Sequence, residues 1–179
     1  MFDTIADLPI HPLVVHATVI VVPAAALVVG LAGVWPTFRA RTAPLALALS
    51  ALALVLVPVT VQSGDALRGR LPANELIDRH RDFGTGLLPW VIALVFAAAA
   101  TGWLHRWETA RAGPAGPDGG SHSSGVPAPA PRLAAVVVAI LAVITAAGVL
   151  ASVVRIGHSG AEAAWSDVAT TTAGSTTPS

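Results

Sequence analysis

Four stretches of this sequence contain no Asp, Glu, Lys or Arg at all: Leu13 to Trp35, Pro44 to Val61, Leu87 to Leu104 (extendable to Gly84) and Leu133 to Val154. A helix rises about 1.5 Å per residue, so roughly 20 residues cross a ~30 Å hydrocarbon layer. Lipid offers no partner to a backbone N–H or C=O, so a run of this kind must satisfy itself as a helix. None of the four shows the polar stripe of a soluble core helix. A soluble bundle would leave four all-apolar helices with only short polar segments to cover them. Charged residues make up 11% of the chain and apolar residues 54%, against about one quarter charged in a soluble domain. The sequence therefore predicts an all-α integral membrane four-helix bundle, with spans at 13–35, 44–61, 84–104 and 133–154.

An even number of spans returns both termini to one side of the bilayer. Side A then holds residues 1–12, the loop from Gln62 to about Phe83 and the segment from Arg155. Side B holds the turn Pro36–Ala43 and the segment His105–Arg132. The arginines divide evenly between the sides, so the positive-inside rule is balanced. The acidic residues lie on side A except Glu108 and Asp118, which points to a cytoplasmic side B and extracytoplasmic termini in a plasma membrane. Trp35, Trp103 and Trp107 flank the side B span ends, as an interfacial aromatic belt does. The Gly-, Pro- and Ser-rich stretch 112–131 reads as a flexible loop. Residues 166–179 read as a disordered tail, leaving 1–165 as one membrane domain. Asn74 is placed to cap a short helix over ELIDRHRD. Pro23, Pro58 and Pro89 interrupt three spans, and each frees a carbonyl that a neighbouring helix must answer.

The topology also gathers histidines. His11, His16, His80 and His158 come from three distant parts of the chain, and all fall on side A. His16 lies about one turn inside the first span, where an ionisable group is expected to face the bundle interior. His16, Pro23 and Gly30 repeat every seven residues and so share one helix face. Neutral imidazole is a ligand for haem iron, zinc and copper, and histidines on facing helices hold cofactors in four-helix bundles. Arg79, Arg81 and Arg155 lie at the same level and suit haem propionates. Phe83 and Trp90, with Val and Leu side chains, would supply flat walls. Asp65 and Glu162 are available either as metal ligands or as hydrogen-bond partners. The absence of Cys excludes disulfides, thiolate-ligated clusters and covalent haem attachment. Zero net charge gives no reason to expect a nucleic-acid partner. No hydrolase, zinc-protease or nucleotide-binding motif is present.

HPLVVH (His11–His16), QSGDAL (Gln62–Leu67), DRHRDFG around His80, LLPW (Leu87–Trp90) and RIGHSGAEAAW (Arg155–Trp165) resemble, in order, an uncharacterised bacterial membrane family catalogued as domain of unknown function 2231. That resemblance implies four spans without an established activity. It carries over His11, His16, Ser63, Gly64, His80, Gly157, His158, Ser159 and Gly160 as the functional cluster. Members fused to Rieske-type or c-type cytochrome domains imply a redox setting, with any electron partner of this chain a separate protein. Family members often carry an aromatic residue where this chain has Ala17. Three functions follow as expectations. The first is a haem b protein with His16 as one axial ligand and His80 or His158 as the other. The second is a zinc or copper site of His16, His80 and His158. The third is a cofactor-free assembly or scaffold protein in the bilayer. Oligomeric state is not legible in the sequence.

Overall fold

A computed structural model describes the backbone of residues 4–5, 8–69, 74–112 and 129–174, and the side chains of 13–69, 74–111 and 132–165. A two-residue antiparallel pairing of β1 (Thr4–Ile5) with β2 (Leu8–Pro9) precedes four helices. These are α1 (Ile10–Val34), α2 (Pro36–Arg68), α3 (Glu75–Ala112) and α4 (Pro129–Gly174). All four are long and apolar enough to cross a membrane. They form a closed ring, α1 on α2, α2 on α3, α3 on α4 and α4 back on α1, with little contact between α1 and α3 across the diagonal. The expected all-α four-span bundle is what the chain forms.

The helices are longer than the uncharged runs. The 33 residues of α2 span about 50 Å, well beyond the hydrocarbon layer. The expected turn Pro36–Ala43 shrinks to a single extended residue, Trp35, with φ −119° and ψ 101°. Pro36 takes the first helical position, where its missing N–H costs nothing. The expected side A loop 62–83 shrinks in the same way. α2 continues to Arg68, and α3 starts at Glu75, where the backbone N–H of Leu76 donates to Asn74 Oδ1 at 2.9 Å. The predicted cap is present, but the helix it starts runs unbroken into the third span. The backbone of residues 166–174 continues α4 where a disordered tail was expected. No Gly or Pro interrupts SDVATTTA to stop the helix. Most of the expected flexible loop, residues 113–128, lies outside the described residues.

The core is built from small side chains. Ala25, Ala26 and Val29 of α1 meet Ala46 and Ala53 of α2, Ala97 and Ala98 of α3, and Ala142 and Ala146 of α4. A Cβ on Gly33 would sit 2.5 Å from Ala142 Cβ, so α1 and α4 cross almost backbone to backbone. Gly148 makes room for the Trp90 indole, which a Cβ there would meet at 2.2 Å. Leu94 and Leu104 are fully buried beside them, but many large apolar side chains point outward: Ile20, Phe96 and Val154 are about seven-tenths exposed. This inversion is what a lipid solvent produces. Leucine gains nothing by leaving lipid, whereas small residues let helices approach and gain dispersion contact. Buried Ser50, Thr101 and Thr145 donate to carbonyls of their own helices, so none is an unsatisfied polar group. Pro23 and Pro58 are half-buried against neighbours, but Pro89 faces outward.

Side B is closed by an ion pair whose arginine is buried and whose carboxylate is part-exposed. The Arg39 side chain is 3% exposed and donates through Nη2 to both Glu108 oxygens at 2.8 Å. A longer contact, 3.4 Å, reaches the Ala32 carbonyl, so one side chain ties α2 to α3 and to α1. Its Nε is buried without a partner among the described residues. Trp103 stacks on Trp107, whose ring lies 3.7 Å from the Arg111 guanidinium carbon. The interfacial aromatic belt of side B is thus stacked along α3. Removing one member of a buried pair strands the other. Glu108→Ala is expected to destabilise the detergent-solubilised protein by about 3 kcal/mol. Replacing both partners by leucine should recover most of that loss. Thermal melting of the single and double variants checks both outcomes.

Candidate functional site

The side A ends of the four helices enclose a cavity of about 620 Å³. Its inner walls are Val19 and Val22 of α1, Val57 of α2, Leu87 of α3, and Val153 and Ile156 of α4. The volume is in the range of a small-molecule site. Its mouth carries Asp65, Arg68 and Arg81. Arg81 Nε donates to Asp65 Oδ1 at 2.5 Å, and Arg68 Nε donates to Asp78 Oδ1 at 2.5 Å. These two pairs tie α2 to α3 across the connection between them, and they leave the mouth polar above an apolar interior.

Within the wall, Thr18 and Thr60 meet hydroxyl to hydroxyl at 2.7 Å, joining α1 to α2. Each also lies 2.8 Å from a carbonyl of its own helix, Val14 or Leu56. Two hydroxyl protons cannot serve three contacts at once. One threonine therefore bonds its carbonyl and the other bonds its partner, so one of the two carbonyls lacks that bond. Sequence reasoning missed both residues. Each stands two residues from a quoted motif, after HPLVVH and before QSGDAL.

His80 is the histidine that lines the cavity among the described residues. Its Nδ1 lies 3.1 Å from Ser159 Oγ. The Ser159 side chain also lies 3.0 Å from the Ile156 carbonyl, which can only accept. The single serine proton can serve one of these contacts at a time: Ser159 either donates to Ile156 and accepts from Nδ1–H, or donates to an unprotonated Nδ1. In the first arrangement a neutral ring carries its lone pair on Nε2, where a ligand could use it. The ring lies on Gly160, where a Cβ would sit 3.1 Å from His80 Cε1 and 3.3 Å from Nδ1. Gly157 and Gly64 also line the cavity, and a Cβ on Gly157 would meet nothing within 4 Å. Ser63 donates to the Thr60 carbonyl at 2.9 Å.

The other expected residues do not join this site. His16, His80 and His158 lie toward the same end of the bundle but do not converge. His16 is exposed and absent from the cavity wall, so the predicted inward seam of His16, Pro23 and Gly30 fails at its first member. Gly30 of that seam packs closely on α4, with its Cβ direction 3.2 Å from Ala146. The reason is geometric: at the splayed mouth of the bundle, α1 presents Val15, Thr18 and Val19 to the cavity instead. The His158 side chain is 77% exposed and lies outside, with Nε2 3.1 Å from Glu162 Oε1. The side chain of His11 lies outside the described residues. Among the described residues, no three of His, Asp and Glu are grouped as a metal ion would require. Of the expected propionate partners, Arg81 is at the cavity mouth. Arg79 and Arg155 line a separate cleft with Phe83. Trp90 packs on Gly148 and is not a cavity wall.

The family model described as "Predicted membrane protein (DUF2231)" matches residues 7–173. The chain belongs to this family. The match runs from before the first span to beyond the last, as the five quoted segments imply, and the family's description states a membrane location without an activity. No curated protein and no solved structure matches the chain.

The two glycines under the cavity separate space from packing. Gly157→Ala should leave stability within about 0.5 kcal/mol, since its methyl enters open space. Gly160→Val forces the imidazole away and should cost about 1–3 kcal/mol. Thermal melting in detergent compares the two.

Proposed function

We propose that this protein binds an amphipathic redox group in the side A cavity, with His80 as its one protein ligand, and exchanges electrons with a separate partner. The observation that carries the reading is the His80 imidazole, held against Ser159, on the wall of a large, mainly apolar chamber. Haem b is the group that this chemistry fits. An apolar flat body suits the valine and leucine walls, an iron centre takes a neutral imidazole, and Arg68 and Arg81 offer guanidiniums to carboxylates at the mouth. When bound, such a group supplies one-electron redox chemistry. The protein's own part is to orient the imidazole through Ser159, to exclude water from the chamber and to hold charge at its entrance.

This differs from a bis-histidine arrangement, which needs a second imidazole in the chamber. A cavity mouth on the extracytoplasmic face of a plasma membrane follows if side B is cytoplasmic, as the acidic residues favour. A second reading rests on the same imidazole. A lone pair on Nε2 accepts a hydrogen bond as readily as it ligates iron, so a hydroxylated lipid-soluble molecule would also be held there.

An absorption spectrum of the detergent-purified protein, with and without haem added during expression, tests the proposal. The expected result is a Soret band that His80→Ala abolishes, Gly157→Leu weakens, and His16→Ala and His158→Ala retain. A colourless preparation under both conditions removes the haem reading. In that case, mass spectrometry of an organic extract decides between a hydroxylated ligand and a cofactor-free scaffold.

A further inference from the structure

On the other side of Ser159 from the cavity, α3 and α4 form a cleft of about 230 Å³ lined by Arg79, Phe83, Arg155, His158, Ser159 and Glu162. Two of these are guanidiniums and one is a carboxylate, so the cleft is net positive even with His158 neutral. The carboxylate is already engaged. Glu162 Oε1 lies 3.1 Å from His158 Nε2, and Oε2 lies 4.0 Å from Arg79 Nη1. Arg155, which is exposed, makes no ion pair among the described residues. It directly follows Val154, a 71% exposed side chain at the end of an apolar run. Arg155 therefore sits where hydrocarbon gives way to headgroups, the level at which lipid phosphates lie. Arg79 is positioned over the Phe83 ring at 5.5 Å, which keeps its guanidinium on the cleft wall.

We propose that this cleft binds the phosphate of an anionic membrane phospholipid, with Arg155 and Arg79 as its cationic contacts. Basic clefts between membrane helices at the interface are suited to anionic headgroups, and guanidinium pairs with phosphate through two parallel hydrogen bonds. The exposed apolar flank at Val154 gives the acyl chains a surface, which a free phosphate would not use. The site does not depend on what occupies the cavity behind His80.

The test uses the full chain in detergent, with native mass spectrometry and thermal melting against three probes: phosphatidylglycerol, phosphatidylcholine and inorganic phosphate. Wild type should retain phosphatidylglycerol in preference to phosphatidylcholine and be stabilised by it. Arg155→Gln and Arg79→Gln should each weaken that binding about fivefold, the equivalent of roughly 1 kcal/mol per interfacial cation. Arg155→Lys should hold most of it, and Arg106→Gln on side B should change nothing. The proposal is overturned if both glutamine variants bind phosphatidylglycerol like wild type. Equal retention of phosphatidylcholine overturns it too, as does displacement of the lipid by millimolar inorganic phosphate. If Arg155→Gln fails to fold, wild-type binding by Arg79→Gln overturns the proposal by itself, and weakened binding supports it.

Discussion

Close approach of small side chains in a solvent as apolar as leucine is the constraint on which this structure depends. In water, burying Val, Leu and Ile would supply the driving force. In lipid that force vanishes, and helix association rests on packing and on polar contacts. The alanine-rich interior, the Gly33 crossing and the Gly148 seat for Trp90 follow from it. So does the outward display of Ile20 and Phe96. Tight packing of this kind holds the bundle shut through its middle and at side B, where the Arg39–Glu108 pair joins helices.

At side A the same helices hold larger valine and leucine side chains apart, and they enclose space instead of filling it. Glycines at 157 and 160 keep α4 from filling the chamber, and ion pairs between α2 and α3 fix its rim. The imidazole of His80 gains its meaning from this setting. Ser159 holds the ring at Nδ1, and the ring rests on a residue without a side chain. Ser159 also lies on the phosphate cleft, so one buried hydroxyl borders both sites.

The fold was largely legible because an absence of charge over about 20 residues admits one solution in lipid. Helix ends were less legible. Arg39, Asp65 and Arg68 sit on helices beyond the apolar runs, and hydropathy alone reads such charged turns as loop. Asn74 was readable because a cap has a local signature. The candidate site was only partly legible. Topology places the imidazoles of His16, His80 and His158 toward one end, but it does not say which way each points. That depends on helix rotation, which puts His80 inward while His16 and His158 are exposed. Thr18 and Thr60 carried no signal beyond their nearness to motif residues, because their role depends on two helices meeting.

The proposed ligand role requires His80 to offer an unprotonated Nε2 to the chamber. Nitrogen-15 NMR of histidine-labelled protein in detergent at neutral pH, with His80→Gln used to assign the signal, tests it most directly. For a ligand role of His80 the expected signal has its proton on Nδ1 and a bare Nε2, with loss of that preference in Ser159→Ala. A His80 signal with the proton on Nε2, unchanged by removing the serine, would contradict it.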